Sequence, residues 1–171
     1  MSFAEVREYR VGDDVRDIDW NVTARSDRAH VKVYEEEREL TMMLLIDVSP
    51  SRMFGSKEFT KKNLITEVAA TLAFSAAKNN DKVGCILFSD RIEKFIPPKK
   101  GRSHILMIIR ELVSFKPSGR GTSLSEPLRY LVGVNKKRTT TFLLSDLINN
   151  SDDMAKLEDA LKIASSKHDI M

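Results

Sequence analysis

From Thr41 onward, short apolar runs of β type alternate with longer segments of helical period. This alternation constrains the fold more than any other feature, because strands separated by helices pair in parallel and are covered on both faces. The run Thr41–Asp47 is almost wholly apolar, as a strand buried on both faces must be. We therefore predict an α/β fold with a doubly wound, mainly parallel sheet.

One edge of this sheet is predicted to be antiparallel. The runs 82–90 and 91–101 are apolar or alternating, and only a short polar turn separates them, which is typical of a hairpin. Pro97 and Pro98 are expected to end the second strand, because proline cannot donate a ladder hydrogen bond. The helix that follows is expected to have Ser103 as its N-cap.

The first forty residues differ in character, since Arg and Asp cluster there around Tyr9, Ile18 and Trp20. We predict that residues 1–40 are a charged extension packed on a domain formed by residues 41–171, with Trp20 in the core of the extension. The last residues, 168–171, resemble the approach to a further strand. We therefore expect the domain to be incomplete, with its C-terminal part truncated.

Composition limits the classes of function. The chain has 28 Lys and Arg against 25 Asp and Glu, and a net charge of +3 is too small to indicate nucleic-acid binding. Cys85 is the single cysteine and lies in an apolar run, which predicts a reduced thiol in a reducing compartment. No stretch resembles a membrane span or a signal peptide, so we expect a cytoplasmic protein.

Two predicted strands end on carboxylates. Asp47 follows the apolar run of the first strand, and Asp146 follows the run "TFLLS" of a later one. Ligands of open α/β sheets bind outside the carboxyl ends of the strands, so two carboxylates at this edge would share one crevice. Such a crevice favours a cation.

Three hydroxyls accompany these carboxylates. Ser49 and Ser51 follow Asp47 at two-residue steps, and Thr122 lies in a glycine-containing loop, "SGRGTSLSEPL". Alone, each motif is more often a turn or a helix cap. Together they form an oxygen-only set with little charge, suited to Mg²⁺ or Mn²⁺ rather than to zinc. A cation held by so few charges would attract a carboxylate from a partner.

The segments "DVSPS", "GRGTS" and "LLSD", in this order, resemble the metal-ion-dependent adhesion site (MIDAS) of von Willebrand factor A domains. The resemblance implies a von Willebrand factor A-like fold. It also implies a metal site whose last aspartate often acts through water. The implied metal ligands are Asp47, Ser49, Ser51, Thr122 and Asp146.

A narrower resemblance covers nearly the whole chain. The segments "FAEVREYRVGDDVRDIDWNVTAR", "VKVYEEERELT", "NNDKVGCILFSD" and "FIPPKKGRSH" are similar to the bacterial family called domain of unknown function 58. Members of that family resemble von Willebrand A domains and are typically encoded beside MoxR-type AAA+ ATPases. The resemblance therefore implies a protein partner, either such an ATPase or its client.

The sequence is compatible with three functions. The leading hypothesis is a metal-dependent protein-interaction module without enzymatic activity, which acts as an adaptor of the ATPase. The alternative is a Mg²⁺-dependent phosphohydrolase or phosphotransferase with Asp47 as nucleophile, although Ser49 stands where such enzymes need a second Asp. The third function is nucleic-acid binding. We do not expect it, because the two basic clusters of the chain lack aromatic residues. Those clusters are Lys99, Lys100 and Arg102, and Lys136, Lys137 and Arg138.

Overall fold

The computed structural model describes residues 2–35, 40–50, 56–147 and 154–171, and side chains within 5–33, 40–50, 62–147 and 154–171. The chain divides into two compact units, Met1–Arg38 and Glu39–Met171. The division lies close to residue 40, where the extension was predicted to end. The packing of the extension on the domain stays a prediction.

The first unit is a two-stranded antiparallel sheet with a short helical connection. Its elements are β1 (Ser2–Glu8), a 3-10 turn (Val15–Asp17), α1 (Trp20–Thr23) and β2 (His30–Glu35). Arg7 donates two hydrogen bonds to the Asp13 carboxylate, at 2.7 and 2.8 Å. These bonds, with help from the Arg10 amide, lower the pKa of Asp13 to about 2.

The predicted burial of Trp20 is wrong, since its side chain is 69% exposed. Of the described apolar side chains in this unit, only Val31 is buried. A unit with so small an interior has no room to enclose an indole. Asp19 fixes the start of α1 by accepting hydrogen bonds from the amides of Asn21 and Val22.

The second unit contains a five-stranded sheet in the order β5-β4-β3-β6-β7. Four of these strands run parallel, and β5 at one edge is antiparallel to β4, as predicted. The strands are β3 (Thr41–Asp47), β4 (Lys82–Phe88), β5 (Ile92–Lys99), β6 (Thr140–Leu144) and β7 (Asp169–Ile170). The helices are α2 (Ser56–Lys78), α3 (Arg102–Ser114), α4 (Ser125–Val134) and α5 (Met154–Lys167).

The central strand β3 is buried on both faces. Leu44 and Ile46 pack in a cluster with residues of α2 and α3, whereas Met43 and Leu45 pack in a second cluster with residues of α4. All four side chains are fully buried, and each stabilises the fold by about 1.5–3 kcal/mol. Because successive side chains point to opposite faces, the whole run must be apolar.

The edge strand β5 differs from its prediction, because it runs through Pro97 and Pro98 to Lys99. Prolines are tolerated there because an outermost strand needs no donors on its free side. The register between β4 and β5 shifts after Val83, and Gly84 lies where the shift occurs. A β-carbon at Gly84 would lie 3.0 Å from the backbone nitrogen of Pro98, so glycine permits this close approach.

The start of α3 also differs from its prediction. Its N-cap is Gly101, with a φ of 101°, and Ser103 lies inside the helix. This φ is in the region that glycine adopts without strain, so the backbone turns into the helix at Gly101 without a side-chain cap. At the other edge of the sheet, β7 pairs in parallel with β6 across two residues. The expected truncation of the domain stays a prediction.

Cys85 lies in β4 and is fully buried, which raises the pKa of its thiol far above the ordinary value. This burial agrees with the prediction of a core residue. Within the described ranges, no helix has both the length and the apolar composition needed to cross a bilayer.

Candidate metal centre

Asp47 ends the central strand, where the sheet meets the loops. Its side chain is 3% exposed, and its Oδ1 accepts a hydrogen bond of 2.9 Å from the Ser49 amide. An aspartate that accepts a hydrogen bond from the amide two residues later forms an Asx turn, so Asp47 shapes the turn that follows the strand. The turn brings the Ser49 hydroxyl to the same edge as the carboxylate.

Ser49 and Thr122 meet at this edge although 73 residues separate them in the chain. The Thr122 hydroxyl donates to the Ser49 Oγ at 2.8 Å, and Ser49 is 9% exposed. The loop before α4 therefore reaches across to the end of β3. Three of the predicted ligands, Asp47, Ser49 and Thr122, are brought together.

The end of β6 also approaches Asp47. The Ser145 hydroxyl donates to Asp47 Oδ2 at 2.8 Å, and the exposed Asp146 follows directly in the chain. β6 pairs with β3 in parallel, which is why the ends of the two strands meet. Ser145 was not singled out in the sequence, where it was only the serine of "LLSD". Ser51 lies outside the described residues, and its role stays a prediction.

Glu93 holds the loop that carries Thr122. Its Oε1 accepts from the amides of Ser118 and Gly119, at 3.0 and 2.8 Å, and from the Ser89 hydroxyl at 2.7 Å. Its Oε2 accepts from the Ser118 hydroxyl at 2.7 Å. Partial burial raises the pKa of Glu93, but these four bonds together outweigh it and leave the pKa below its usual value.

Asp90 holds the next part of the same loop. Its Oδ2 accepts from the amides of Arg120 and Gly121, both at 3.3 Å. The pKa of Asp90 is lowered, first by the hydrogen bond from Arg91 and further by these amides. Sequence reasoning missed both carboxylates. The signal available was a pair of acids in "SDRIE", one in the hairpin turn and one at the start of β5. The loop that they hold lies 25 to 31 residues further along the chain.

The convergent oxygens fit a small hard cation. Mg²⁺ holds its ligands at 2.0–2.1 Å in an octahedron, so neighbouring ligand oxygens lie about 3.0 Å apart. The Ser49 and Thr122 hydroxyl oxygens are hydrogen-bonded at 2.8 Å, so they would need little movement to become neighbouring ligands. Within the described ranges, no three His, Cys, Asp or Glu side chains form a metal-binding cluster. A cation here would therefore depend on hydroxyls and water besides its carboxylates.

A cleft opens directly beside these oxygens, with a volume of about 240 Å³. Asp47, Ser49 and Pro50 form one side of it. The other described lining residues lie on α2, at the end of α3, in the loop after α3 and just after β3. They are Lys62, Ile65, Leu112, Phe115, Lys116, Pro117 and Val48.

The predicted basic clusters lie near the amino ends of the parallel strands, whereas the candidate metal centre lies at their carboxyl ends. Lys99 pairs in register with Val83, near the amino end of β4, and Arg138 precedes the amino end of β6. Arg138 is engaged with the Asp169 carboxylate, its Nε donating at 3.0 Å. The structure therefore brings neither cluster to the candidate metal centre.

The sheet order, the antiparallel edge strand and the helices on both faces define a von Willebrand factor A-like fold, as the sequence predicted. The chain belongs to the family described as "Protein of unknown function DUF58", whose profile matches residues 5–171.

The uncharacterized protein Rv1480 of Mycobacterium tuberculosis is 27% identical over 169 residues, which are 98% of this chain and 52% of the relative. The chain thus spans about half the length of the curated relatives that it matches first.

Two solved structures share the fold. One is the crystal structure of an aerotolerance-related membrane protein from Bacteroides fragilis, with a TM-score of 0.52 and 19% identity, covering 77% of this chain and 65% of the other. The other is the proximal thread matrix protein 1 from the mussel byssus, with a TM-score of 0.55 and 17% identity, covering 78% of this chain and 37% of the other. At these identities the likeness concerns the fold alone.

Proposed function

We propose that the protein is a metal-dependent protein-interaction module that docks a partner's carboxylate on a Mg²⁺ site, with Mn²⁺ as the alternative metal. The proposal is carried by the 2.8 Å contact of Thr122 with Ser49 beside the buried Asp47. These groups come from separate loops, and their meeting at a ligand-binding sheet edge supports a shared ligand.

Each residue would have a distinct part. Asp47 supplies a negative charge, whereas Ser49, Ser51 and Thr122 supply neutral oxygens. Asp146 acts through water. Bound Mg²⁺ would provide a Lewis-acidic coordination position, which the low charge of these ligands leaves attractive to an external carboxylate.

The surroundings of Asp47 favour its role as a metal ligand over a role as a nucleophile. Both of its carboxylate oxygens accept hydrogen bonds, from the Ser49 amide and the Ser145 hydroxyl, and only 3% of the residue is exposed. A small cation can reach a carboxylate that is 3% exposed more readily than a phosphate ester can. Metal-dependent turnover of a generic phosphatase substrate that Asp47→Asn abolishes would overturn this preference and establish the phosphohydrolase alternative.

The metal is tested by calorimetric titration with Mg²⁺ and by the shift of the melting temperature that Mg²⁺ causes. Wild-type protein is expected to bind and to be stabilised, because a ligand that binds only the folded state raises the free energy of unfolding. Asp47→Asn should lose both effects. Asp159→Asn, which changes an exposed aspartate of α5, should keep them. Equal Mg²⁺ effects in the wild type and Asp47→Asn would refute the site.

As partner we propose a MoxR-type AAA+ ATPase or its client, in the cytoplasm where such an ATPase finds ATP. The ATPase itself requires Mg²⁺, so the comparison must be made between variants and not between Mg²⁺ and a chelator. The full-length protein should capture the ATPase of its own organism, Asp47→Asn should not, and Asp159→Asn should. Absence of capture by the wild type would refute this partner and leave the metal site untouched.

A further inference from the structure

We propose that the cleft beside the metal centre receives an apolar side chain of the partner, and that the docking segment is an acidic peptide in which this side chain neighbours the metal-bound carboxylate. The inference rests on the proposed function and specifies the ligand of the same site. The candidate metal centre and the cleft share Asp47 and Ser49, so one short segment can occupy both.

The cleft has the size and lining for an apolar group. Its volume of about 240 Å³ admits one large side chain, and most of its wall is apolar. Leu112 at its base is 2% exposed, whereas Ile65 and Phe115 are half-buried and keep surface available for contact. Burying a leucine-sized side chain against such walls would add binding free energy that the metal alone does not supply.

One hydrogen bond links two walls of this cleft. The Lys62 ammonium donates to the Phe115 carbonyl oxygen at 3.3 Å, which joins α2 to the loop after α3. The two walls are therefore in contact through this bond before any partner arrives. A preformed cleft binds more tightly, because little conformational entropy is lost on binding.

The charges around the cleft select the segment. Among the lining residues whose side chains the structure describes, Lys62 and Lys116 are exposed and the one acid is the buried Asp47. Two ammonium groups beside a cation site attract an acidic segment and repel a basic one, and the attraction weakens as salt is added. The cleft is thus complementary to an acidic segment in which an apolar residue neighbours a carboxylate.

Three capped tripeptides test the inference by NMR titration in Mg²⁺. Leu-Asp-Leu carries both features, Gly-Asp-Gly lacks the apolar side chains, and Leu-Asn-Leu lacks the carboxylate. Burial of one leucine side chain should make Leu-Asp-Leu bind about tenfold more tightly than Gly-Asp-Gly. The methyl resonances of Ile65 and Leu112 should shift with Leu-Asp-Leu and stay in place with Gly-Asp-Gly.

Two variants with matched controls locate the effect. Phe115→Ala should remove most of the tenfold preference, whereas Phe74→Ala, at a partly exposed phenylalanine of α2 outside the cleft lining, should keep it. Lys116→Glu should weaken Leu-Asp-Leu, whereas Lys137→Glu at the far edge of the sheet should not. The methyl shifts in the wild type provide the test even where a variant fails to fold.

The outcomes separate the two proposals. If Gly-Asp-Gly binds in Mg²⁺ as tightly as Leu-Asp-Leu, the cleft has no part and only the metal docking stands. If Leu-Asn-Leu binds as tightly as Leu-Asp-Leu, the carboxylate docking of the proposed function fails, and the acidic ligand inferred here fails with it. Methyl shifts away from the cleft would also refute the inference.

Discussion

The Glu93 carboxylate accepts a hydrogen bond of 2.8 Å from the Gly119 amide, which ties the hairpin between β4 and β5 to the loop that carries Thr122. The same carboxylate also holds Ser118, so the loop is fixed three residues before the predicted ligand. A hydroxyl on an unrestrained loop would lose entropy when it binds a metal. Glu93 would therefore prepare Thr122 for the proposed role as a metal ligand without contacting it.

Glu93→Gln is expected to loosen this loop. The amide has one acceptor oxygen in place of two, so at least one of the four donors around Glu93 loses its partner. We expect the free energy of unfolding to fall by about 1–2 kcal/mol in urea titrations and Mg²⁺ affinity to fall by up to about tenfold in calorimetry. Glu67→Gln, at an exposed site on α2, should change neither. Unchanged affinity in Glu93→Gln would mean that the loop needs no such support.

Gly119→Ala is expected to displace the same loop by steric overlap. A β-carbon there would overlap the Ser89 hydroxyl and the Asp90 carboxylate, which are two of the groups that hold the loop. Overpacking of this kind costs about 1–3 kcal/mol, and Mg²⁺ binding should weaken with it. Gly133→Ala on α4 is the matched control, because its β-carbon would meet nothing within 4 Å. It should raise the melting temperature slightly, since alanine is the better helix former.

Ser145→Ala is expected to destabilise the end of β3. It removes the hydroxyl that donates to Asp47 Oδ2 inside a nearly buried site. Loss of a donor to a buried carboxylate costs about 1–3 kcal/mol, measurable by urea unfolding without metal. Ser166→Ala on an exposed part of α5 should stay within about 0.5 kcal/mol of the wild type. Equal stability of the two variants would show that Asp47 does not depend on this bond.

His168 is expected to make stability depend on pH. Its side chain is 1% exposed and its Nδ1 lies 3.0 Å from the Thr139 hydroxyl. Burial lowers its pKa below the ordinary 6.5, with further lowering by the neighbouring Lys167 and Arg138 and an opposing effect of Asp169. The unfolded chain therefore takes up a proton at higher pH than the folded chain does.

Stability should consequently be complete above pH 6.5 and should fall as the pH decreases below it, by at most about 1.4 kcal/mol per pH unit. Melting curves across this range should show the slope in the wild type and a smaller slope in His168→Gln. An NMR titration of the His168 ring provides a direct check, because a pKa at or above 6.5 would contradict the prediction.

Local patterns were sufficient to predict the sheet and part of the site. The apolar run of β3 and the hairpin of β4 and β5 specify their own pairing, and the strand-end rule predicted that Asp47 and Asp146 follow neighbouring strands at one edge. Glu93 and Ser145 could not be found in this way, because their role depends on contacts across 25 and 98 residues of chain. The strand was wrongly predicted to end at Pro97. A strand tolerates proline there because β5 is outermost, and that position is a property of the sheet rather than of the segment.

The burial of Cys85 has a practical consequence for labelling this protein. The chain has no other cysteine, and a fully buried thiol with a raised pKa exists almost entirely in its unreactive protonated form. Wild-type protein should therefore resist alkylating dyes while it is folded. A cysteine introduced at Lys116 would be the single reactive thiol, so a fluorophore could be attached at the mouth of the cleft without first removing the native cysteine.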